Sequence, residues 1–517
     1  MQGNLLDFYK GMDISFVPQY LDRGVRMRDM DGREMDPFAL IKKYGVNAIR
    51  LRIWNNPENV KESGGYCSLE HTLKMAEKIR ENGMSFLLDF HYSDFWADPA
   101  KQKKPKAWEN LGRSELEEAV YQYTRDTLFS FEAQGTLPDM VQIGNEIRSG
   151  LLFPEGELPD YKGMTALVNA GIRGARAVAG PERMQVMIHL DQGGRYEWLH
   201  SWFEGAFAQG LLDFDLIGLS YYPFWHGTYM DLKNSMTRLI ADYGKPIMIV
   251  ETAYAWRESE RGFIDSEQIR LGGLPATPEG QRRELEAVMH LTASLPNKMG
   301  RGIYYWEPLC VPRPGGGGWE ENMGLLDQEG RIMEGILAFG QSREQMEREP
   351  EGFRELTGIQ EREEFGPIEH QGKNLLRNGD FADGLREWQV ENSEETAEAA
   401  LVPAWAEGQD SQPRTMRISS QRNFRFTLSQ EVTVEQGGVF SLWAELQGVD
   451  TTGVEVRLFV ESAEGCRETV IHPSEHAWTV YEVRDVECSV GVVRVGLKIS
   501  APPIYVAVRN FCLIQNR

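Results

Sequence analysis

Eight short apolar runs, each followed by a stretch long enough for a helix, fill the chain up to about residue 340 and leave few folds open to it. Strands are predicted at Gly11–Phe16, Ala48–Trp54, Phe86–Tyr92, Asp139–Glu146, Gln185–Leu190, Leu216–Phe224, Pro246–Tyr254 and Gly302–Pro308. The helices between them carry start and stop signals. Asp36-Pro37 reads as N-cap and first-turn proline, with Gly45 closing that helix. Ser114-Glu-Leu-Glu117 reads as a capping box for a helix ending near Gly135. Leu69, Leu73, Ala76 and Ile79 form the inward stripe of a helix ended by Gly83. Eight strand–helix units predict a (β/α)8 barrel. A doubly wound open sheet competes, but no glycine-rich phosphate loop follows the first strand.

Beyond the barrel the texture changes twice. Gln341–His370 holds nine glutamates against four arginines, with two prolines and three glycines. This predicts an acidic linker over 341–372, with some helix at its start. From 373 to 517, alternating runs such as Phe424-Arg-Phe426-Thr-Leu and Val454-Glu-Val-Arg-Leu-Phe459 lie between turn residues, the spacing of an all-β sandwich. The division expected is therefore 1–340 barrel, 341–372 linker and 373–517 sandwich.

A formal charge of −23 argues against a nucleic-acid partner, since nothing offsets phosphate repulsion, and permits a neutral polymer. Cys67, Cys310, Cys466, Cys488 and Cys512 are odd in number, widely spaced and without zinc-type pairing, so neither a disulfide framework nor a structural metal is expected. No apolar run approaches the ~18 residues of a membrane span. Met1-Gln-Gly-Asn-Leu-Leu-Asp lacks the basic start and apolar stretch of a signal peptide. Two placements stay open: cytoplasmic with Met1 as the native start, or secreted or cell-surface after removal of a leader. A monomer is expected.

Glu146 and Glu251 each close a predicted strand. In one parallel barrel both would meet at the C-terminal mouth, where such barrels place their chemistry. Two facing carboxylates suit glycoside hydrolysis, one protonating the leaving oxygen and the other attacking or activating water. Period-two alternation puts Arg50, Arg52 and Trp54 on one face of the second strand, where a guanidinium could hold a carboxylate ionised. His91, Asp94 and Trp96 crowd the end of the third strand as subsite candidates. A metal at His91 and Asp94 is disfavoured, because no second histidine cluster accompanies them. Trp54, Trp96, Trp225 and Trp306 are candidate sugar platforms, each competing with plain core packing. Glu307, opposite in alternation to Trp306, reads as structural.

Taken together, several segments resemble glycoside hydrolase family 53, the endo-β-1,4-galactanases of clan A. They are Gly11-Met-Asp13-Ile-Ser, Gly45-Val-Asn-Ala-Ile-Arg50-Leu-Arg52-Ile-Trp54-Asn, and Asp89-Phe-His91-Tyr-Ser-Asp94-Phe-Trp96-Ala-Asp98-Pro. Gln142-Ile-Gly-Asn145-Glu146, Ser220-Tyr-Tyr222-Pro-Phe-Trp225-His226-Gly, Val250-Glu251-Thr and Tyr305-Trp306-Glu307-Pro continue the likeness. The resemblance implies a retaining enzyme acting on the β-1,4-galactan side chains of pectin, with Glu146 as acid/base and Glu251 as nucleophile. It further implies that Asn145 binds a 2-hydroxyl, that Arg52 orients the nucleophile, that His91 and Tyr222 line the centre, and that Trp306 floors the −1 sugar. Action on another β-linked glycan such as mannan, exo-like release of short products, and a sugar-binding protein without catalysis are the alternatives. No cofactor is implied. Some members carry calcium in an Asp/Asn/Gly-rich segment of the loops after strands seven and eight, but Trp256-Arg-Glu-Ser-Glu-Arg-Gly-Phe-Ile-Asp265 has no such cluster.

The opening of the last region, Asn374-Leu-Leu-Arg-Asn378-Gly-Asp380-Phe381 with Gly384 and Trp388 following, is similar to the first strand of carbohydrate-binding jelly-roll modules. That similarity implies Trp388 in the core; Trp405, Trp443 and Trp478 are better candidates for a sugar face, though for each the core is the stronger reading.

Overall fold

The computed structural model describes residues 6–357 except 314 and 355, and residues 374–381, 383, 385–393, 398–403, 414–420, 424–449, 455–471, 479–501 and 504–515. The chain divides into two compact units, 1–357 and 358–517.

In the first unit eight parallel strands close into a barrel. They are β1 (Tyr9–Asp13), β2 (Ala48–Ile53), β3 (Ser85–Phe90), β4 (Met140–Ile143), β5 (Gln185–Leu190), β6 (Leu216–Ser220), β7 (Ile247–Thr252) and β8 (Gly300–Trp306), with β8 pairing back onto β1. All eight lie where the apolar runs predicted them, but several stop short. β4 ends at Ile143, three residues before Glu146, and β6 ends at Ser220 rather than Phe224. The chain leaves the β4 ladder because Gly144 and Glu146 both take left-handed backbone angles, φ +83° and +48°. For a glutamate that conformation is uncommon, and Glu307 after β8 shares it at φ +48°.

Strand alternation builds two cores. Ile49, Leu51 and Ile53 of β2 join the layer between barrel and helices, as do Phe86, Leu88 and Phe90 of β3. Pointing inward at the barrel floor are Tyr9, Ala48, Leu87, Met140, Met187, Met248 and Tyr304. Each fully buried large apolar side chain contributes roughly 1.5–3 kcal/mol. Gly11 is required at this level, because a Cβ there would lie 2.2 Å from the Tyr304 ring. Above this apolar floor the inward positions turn polar, and that change of character creates the site.

The helices correct two local readings. The helix at Arg113–Gln134 starts two residues earlier than the Ser114 box implies: Glu115 accepts the Gly112 N–H at 3.1 Å, so Gly112 is the N-cap. In the helix Leu69–Glu81, capped by Ser68, the buried stripe is Thr72, Met75, Ala76 and Ile79, while Leu69 and Leu73 are only half-buried. Asp36 caps its helix as read, accepting from the Phe38 and Ala39 amides.

The barrel unit also runs past residue 340. A short helix at Arg343–Glu347 follows, Arg343 donates to the Ala293 and Asp7 carbonyls, and Met346, Phe353 and Leu356 pack into the core. The acidic segment from 358 to 373 lies outside the described residues.

The second unit holds two five-stranded antiparallel sheets. Its strands are β9 (Gln389–Ser393), β10 (Glu398–Pro403), β11 (Arg414–Ser420), β12 (Phe424–Val434), β13 (Gly438–Val449), β14 (Glu455–Ser462), β15 (Gly465–Ile471), β16 (Thr479–Cys488), β17 (Gly491–Ala501) and β18 (Ile504–Gln515). The sheet orders are β10-β11-β18-β13-β16 and β15-β14-β17-β12-β9. Phe426, Leu428, Leu442, Leu446, Leu458 and Leu497 fill the space between. Trp388 is core, its indole donating to the Asn378 carbonyl at 2.9 Å. Trp443 is half-buried, on the opposite side of β13 from Leu442 and Ala444. Trp405, Trp478 and Gly384 lie outside the described residues. All five cysteines are free thiols, and among the described residues no helix is long and apolar enough to cross a membrane.

Candidate active site

Near the C-terminal ends of the barrel strands, Asp13, Arg50, Asp89, Gln142, His189, Ser220 and Glu251 interrupt otherwise apolar strands, and all are buried. Register sets Asp13 beside Arg50, Asp89 beside Gln142 and Ser220 beside Glu251. Polar groups taken out of water must satisfy one another. Arg50 is the centre of that settlement. Its guanidinium reaches Asp13 at 3.0 Å, Asp89 at 2.8 Å, Glu251 at 2.9 Å and the Asn145 side-chain oxygen at 2.8 Å.

Glu146 and Glu251 stand in different electrostatic settings. Burial pushes the Glu251 carboxyl up to about 7, against the pull of Arg50, and Tyr222 donates to its second oxygen at 3.3 Å. Burial, then the charge of Glu251, push the Glu146 carboxyl well above the ordinary carboxylate range. Arg50 stands beside Glu251 and, among the described residues, no cation pairs with Glu146, so Glu146 holds its proton more firmly than Glu251. Two carboxyls pushed apart in this way can divide the roles of acid and nucleophile.

The geometry redistributes several roles read from sequence. Arg52, read from sequence as the partner of Glu251, does not pair with it. It pairs with Glu307 at 2.7 Å and lies against the rings of Phe16 and Trp96, 4.1 and 4.3 Å from their centroids; Arg50 stands beside Glu251 instead. Glu307 thus has a structural partner. Asn145 is fixed by Arg50 on its oxygen and by the Ala97 carbonyl on its nitrogen, 2.8 Å each, which leaves one amide hydrogen for a ligand. His91 sits behind the centre: its Nδ1 accepts from Ala97 N–H at 3.1 Å, and its Nε2 faces Asp89 at 3.0 Å. Asp94 braces loops, accepting from the Asn56 amide, the Asn59 side chain and the Lys106 amide.

Trp54 is wholly buried and offers no platform. Trp96, Trp306 and Trp225 are half-buried and belong to a line of rings. Trp96 lies 5.8 Å from Trp306, Trp306 4.3 Å from Trp319, Trp319 5.0 Å from Phe263, Phe263 5.4 Å from Trp225, and Trp225 5.5 Å from Tyr222. Phe263 and Trp319 escaped the sequence reading, because their place depends on how two long loops meet. Asp13, Asp89, Gln142, His189 and Ser220 escaped it too, although each is a polar residue at an inward position of a buried strand.

One oxygen each of Glu146 and Glu251 and a ring nitrogen of His189 lie within 4.8 Å of one another. A divalent cation can use such a trio. Here Gln142 and Ser220 engage the two His189 nitrogens at 2.8 and 2.9 Å, and a second cation would meet Arg50 at Glu251. The donor set suits proton transfer rather than metal. In the loops after β7 and β8, Glu321 accepts from Arg257 and Ser259 at 2.7 and 3.0 Å, and Asn322 accepts from the Phe263 amide at 2.9 Å. Glu321 Oε1 and Asn322 Oδ1 are thus engaged by protein donors.

Comparison with known proteins places the barrel. A Niallia circulans protein from the region 5′ of bgaB is 42% identical over 317 residues, covering 59% of this chain and 84% of its own length. The arabinogalactan endo-β-1,4-galactanase of Cellvibrio japonicus is 37% identical over 315 residues, covering 59% and 81%. Among solved structures, the Ignisphaera aggregans GH53 catalytic domain superposes with a TM-score of 0.61 at 36% identity, covering 65% of this chain and 96% of that one. Residues 9–339, the barrel that carries Glu146 and Glu251, match the signature of glycosyl hydrolase family 53, and the chain belongs to that family of glycoside hydrolases.

Proposed function

We propose that the protein is a retaining endo-β-1,4-galactanase acting on linear β-1,4-galactan, including the galactan side chains of pectin. The observation that carries the mechanism is the approach of Glu146 and Glu251, whose oxygens come within 4.8 Å. Retaining glycosidases place the two carboxyls ~5–5.5 Å apart, and inverting ones need roughly 6.5–9.5 Å to admit a water. In the first step Glu251 bonds to the anomeric carbon while Glu146 gives its proton to the departing glycosidic oxygen. In the second, water attacks that carbon, its proton passes to Glu146, and Glu251 leaves. The galactan preference is supported by family membership and by the activity in the Cellvibrio japonicus relative's name. The line of rings from Trp96 to Tyr222 suits a polymer, since apolar sugar faces stack on aromatic ones.

A time-resolved product profile on linear β-1,4-galactan, beside β-mannan and carboxymethylcellulose, tests the substrate. Mixed galacto-oligosaccharides should appear early and from galactan alone. One short product from the outset would replace endo with exo-like action, and turnover of mannan instead of galactan would overturn the substrate.

The pH profile of kcat/KM should be a bell. Glu251 must be ionised, so activity falls as pH drops through its pKa. Glu146 must be protonated, so activity falls as pH rises through the higher of the two. An alkaline limb absent up to pH ~9 would remove Glu146 from the acid role.

A further inference from the structure

A directional hydrogen-bond chain links Arg50 to the acid/base. Arginine can only donate, and Arg50 Nε lies 3.3 Å from Gln142 Oε1, which fixes the orientation of that amide. The Gln142 nitrogen then spends its hydrogens on Asp89 at 2.7 Å and on His189 Nδ1 at 2.8 Å. Nδ1 also accepts the backbone N–H of Glu146 at 3.3 Å. Asn145 Oδ1 also lies 3.1 Å from Nδ1, but the Gln142 amide and the Glu146 N–H both aim hydrogens at that nitrogen, so the neutral imidazole carries its hydrogen on Nε2 and donates it to Ser220 Oγ at 2.9 Å. The Ser220 hydroxyl passes its own hydrogen to Glu146 Oε1 at 2.6 Å. Every member from Arg50 to Ser220 is buried, so water does not compete for these bonds.

We propose that His189 and Ser220 are positioning residues of the acid/base, delivering a fixed donor to Glu146 Oε1 and thereby confining the catalytic proton to Oε2. Burial and the nearby Arg50 charge keep His189 neutral, which preserves the direction of the chain. Oε1 is an acceptor whether Glu146 is protonated or not, so the proton leaves from and returns to one atom in both halves of the cycle. The same guanidinium that holds Glu251 thus also sets the orientation of Glu146. This inference rests on Glu146 being the acid/base.

The test is Ser220→Ala, with kcat/KM measured on galactan and on an aryl β-galactoside whose acidic phenol departs without protonation. The charges facing Glu146 are Glu251, Asp191 and Asp98, with Tyr222 also close, and none of them is altered by this change. Loss of the donor favours the protonated carboxyl, so the alkaline limb should move up by about half a unit to one unit. On galactan kcat/KM should fall about tenfold to hundredfold, on the aryl substrate less than threefold, and Ser220→Thr should restore most of the galactan activity. An equal loss on both substrates, or an alkaline limb that stays in place, overturns the positioning role. Ser220→Cys, with a weaker donor of similar size, carries the same expectation at smaller amplitude and stands in if the alanine variant does not fold. Glu146→Ala separates the two ideas: it should abolish galactan turnover and spare formation of the galactosyl-enzyme from the aryl substrate. If it harms both equally, the acid/base assignment itself has failed.

Discussion

Glu251→Gln is expected to lower kcat on β-1,4-galactan by on the order of 10⁵-fold, about 7 kcal/mol of lost transition-state stabilisation. The amide has the shape of the carboxyl but forms no glycosyl ester, so the double displacement stops at its first step. Folding should survive. Arg50 keeps Asp13 and Asp89 as partners, and the substitution removes a carboxyl that burial already penalises. The melting temperature should therefore stay within about 3 °C. Kinetics on galactan beside a thermal melt check both halves. Turnover within about a hundredfold of the parent would assign the nucleophile to another group.

How much of this site the sequence discloses depends on the kind of information each residue carries. The eight strands are legible because buried parallel strands are apolar runs of strand length, and their cores sit where those runs are. Strand ends are not, since Glu146 leaves β4 through a left-handed turn that no local pattern of side chains announces. Period-two alternation correctly points Arg50 and Arg52 inward but gives no height within the barrel. Arg50 lies level with Asp13 and reaches Glu251, whereas Arg52, one step nearer the mouth, meets Glu307. The tryptophans divide for the same reason. Trp54 is sealed by Phe95 and Trp96, while Trp306, flanked by Trp96 and Trp319, stays half-buried. Those contacts are made between loops, and loop packing leaves little trace in sequence. The polar layer was legible in principle. A glutamine, a histidine and a serine within apolar strands oblige a buried network, and only its partners had to wait for the structure.

Arg50→Met is expected to be the most damaging change outside the two glutamates, because one side chain neutralises three carboxylates and aligns two amides. Without it, Asp13 retains Ser15 at 2.6 Å and Asp89 retains His91 at 3.0 Å, but Glu251 is left with the Tyr222 hydroxyl alone. Breaking a buried charge cluster by removing one partner costs roughly 3–5 kcal/mol, and the melting temperature should fall by about 6–15 °C. The effect on activity has a definite sign. Burial, Asp89 and Asp13 all push the Glu251 carboxyl up and Arg50 opposes them, so its loss drives that carboxyl higher. The acid limb of the bell then moves toward the alkaline limb, the interval in which Glu251 is ionised while Glu146 is protonated closes, and kcat near neutral pH should drop by on the order of 10³-fold. Arg50→Lys retains a charge but not the fork that serves several acceptors, so it should recover stability more fully than rate. Arg52→Met is the control. It should loosen Trp96 and raise KM while leaving the acid limb where it is. If instead Arg52→Met moves that limb and Arg50→Met does not, Arg52 is the residue that keeps the nucleophile ionised.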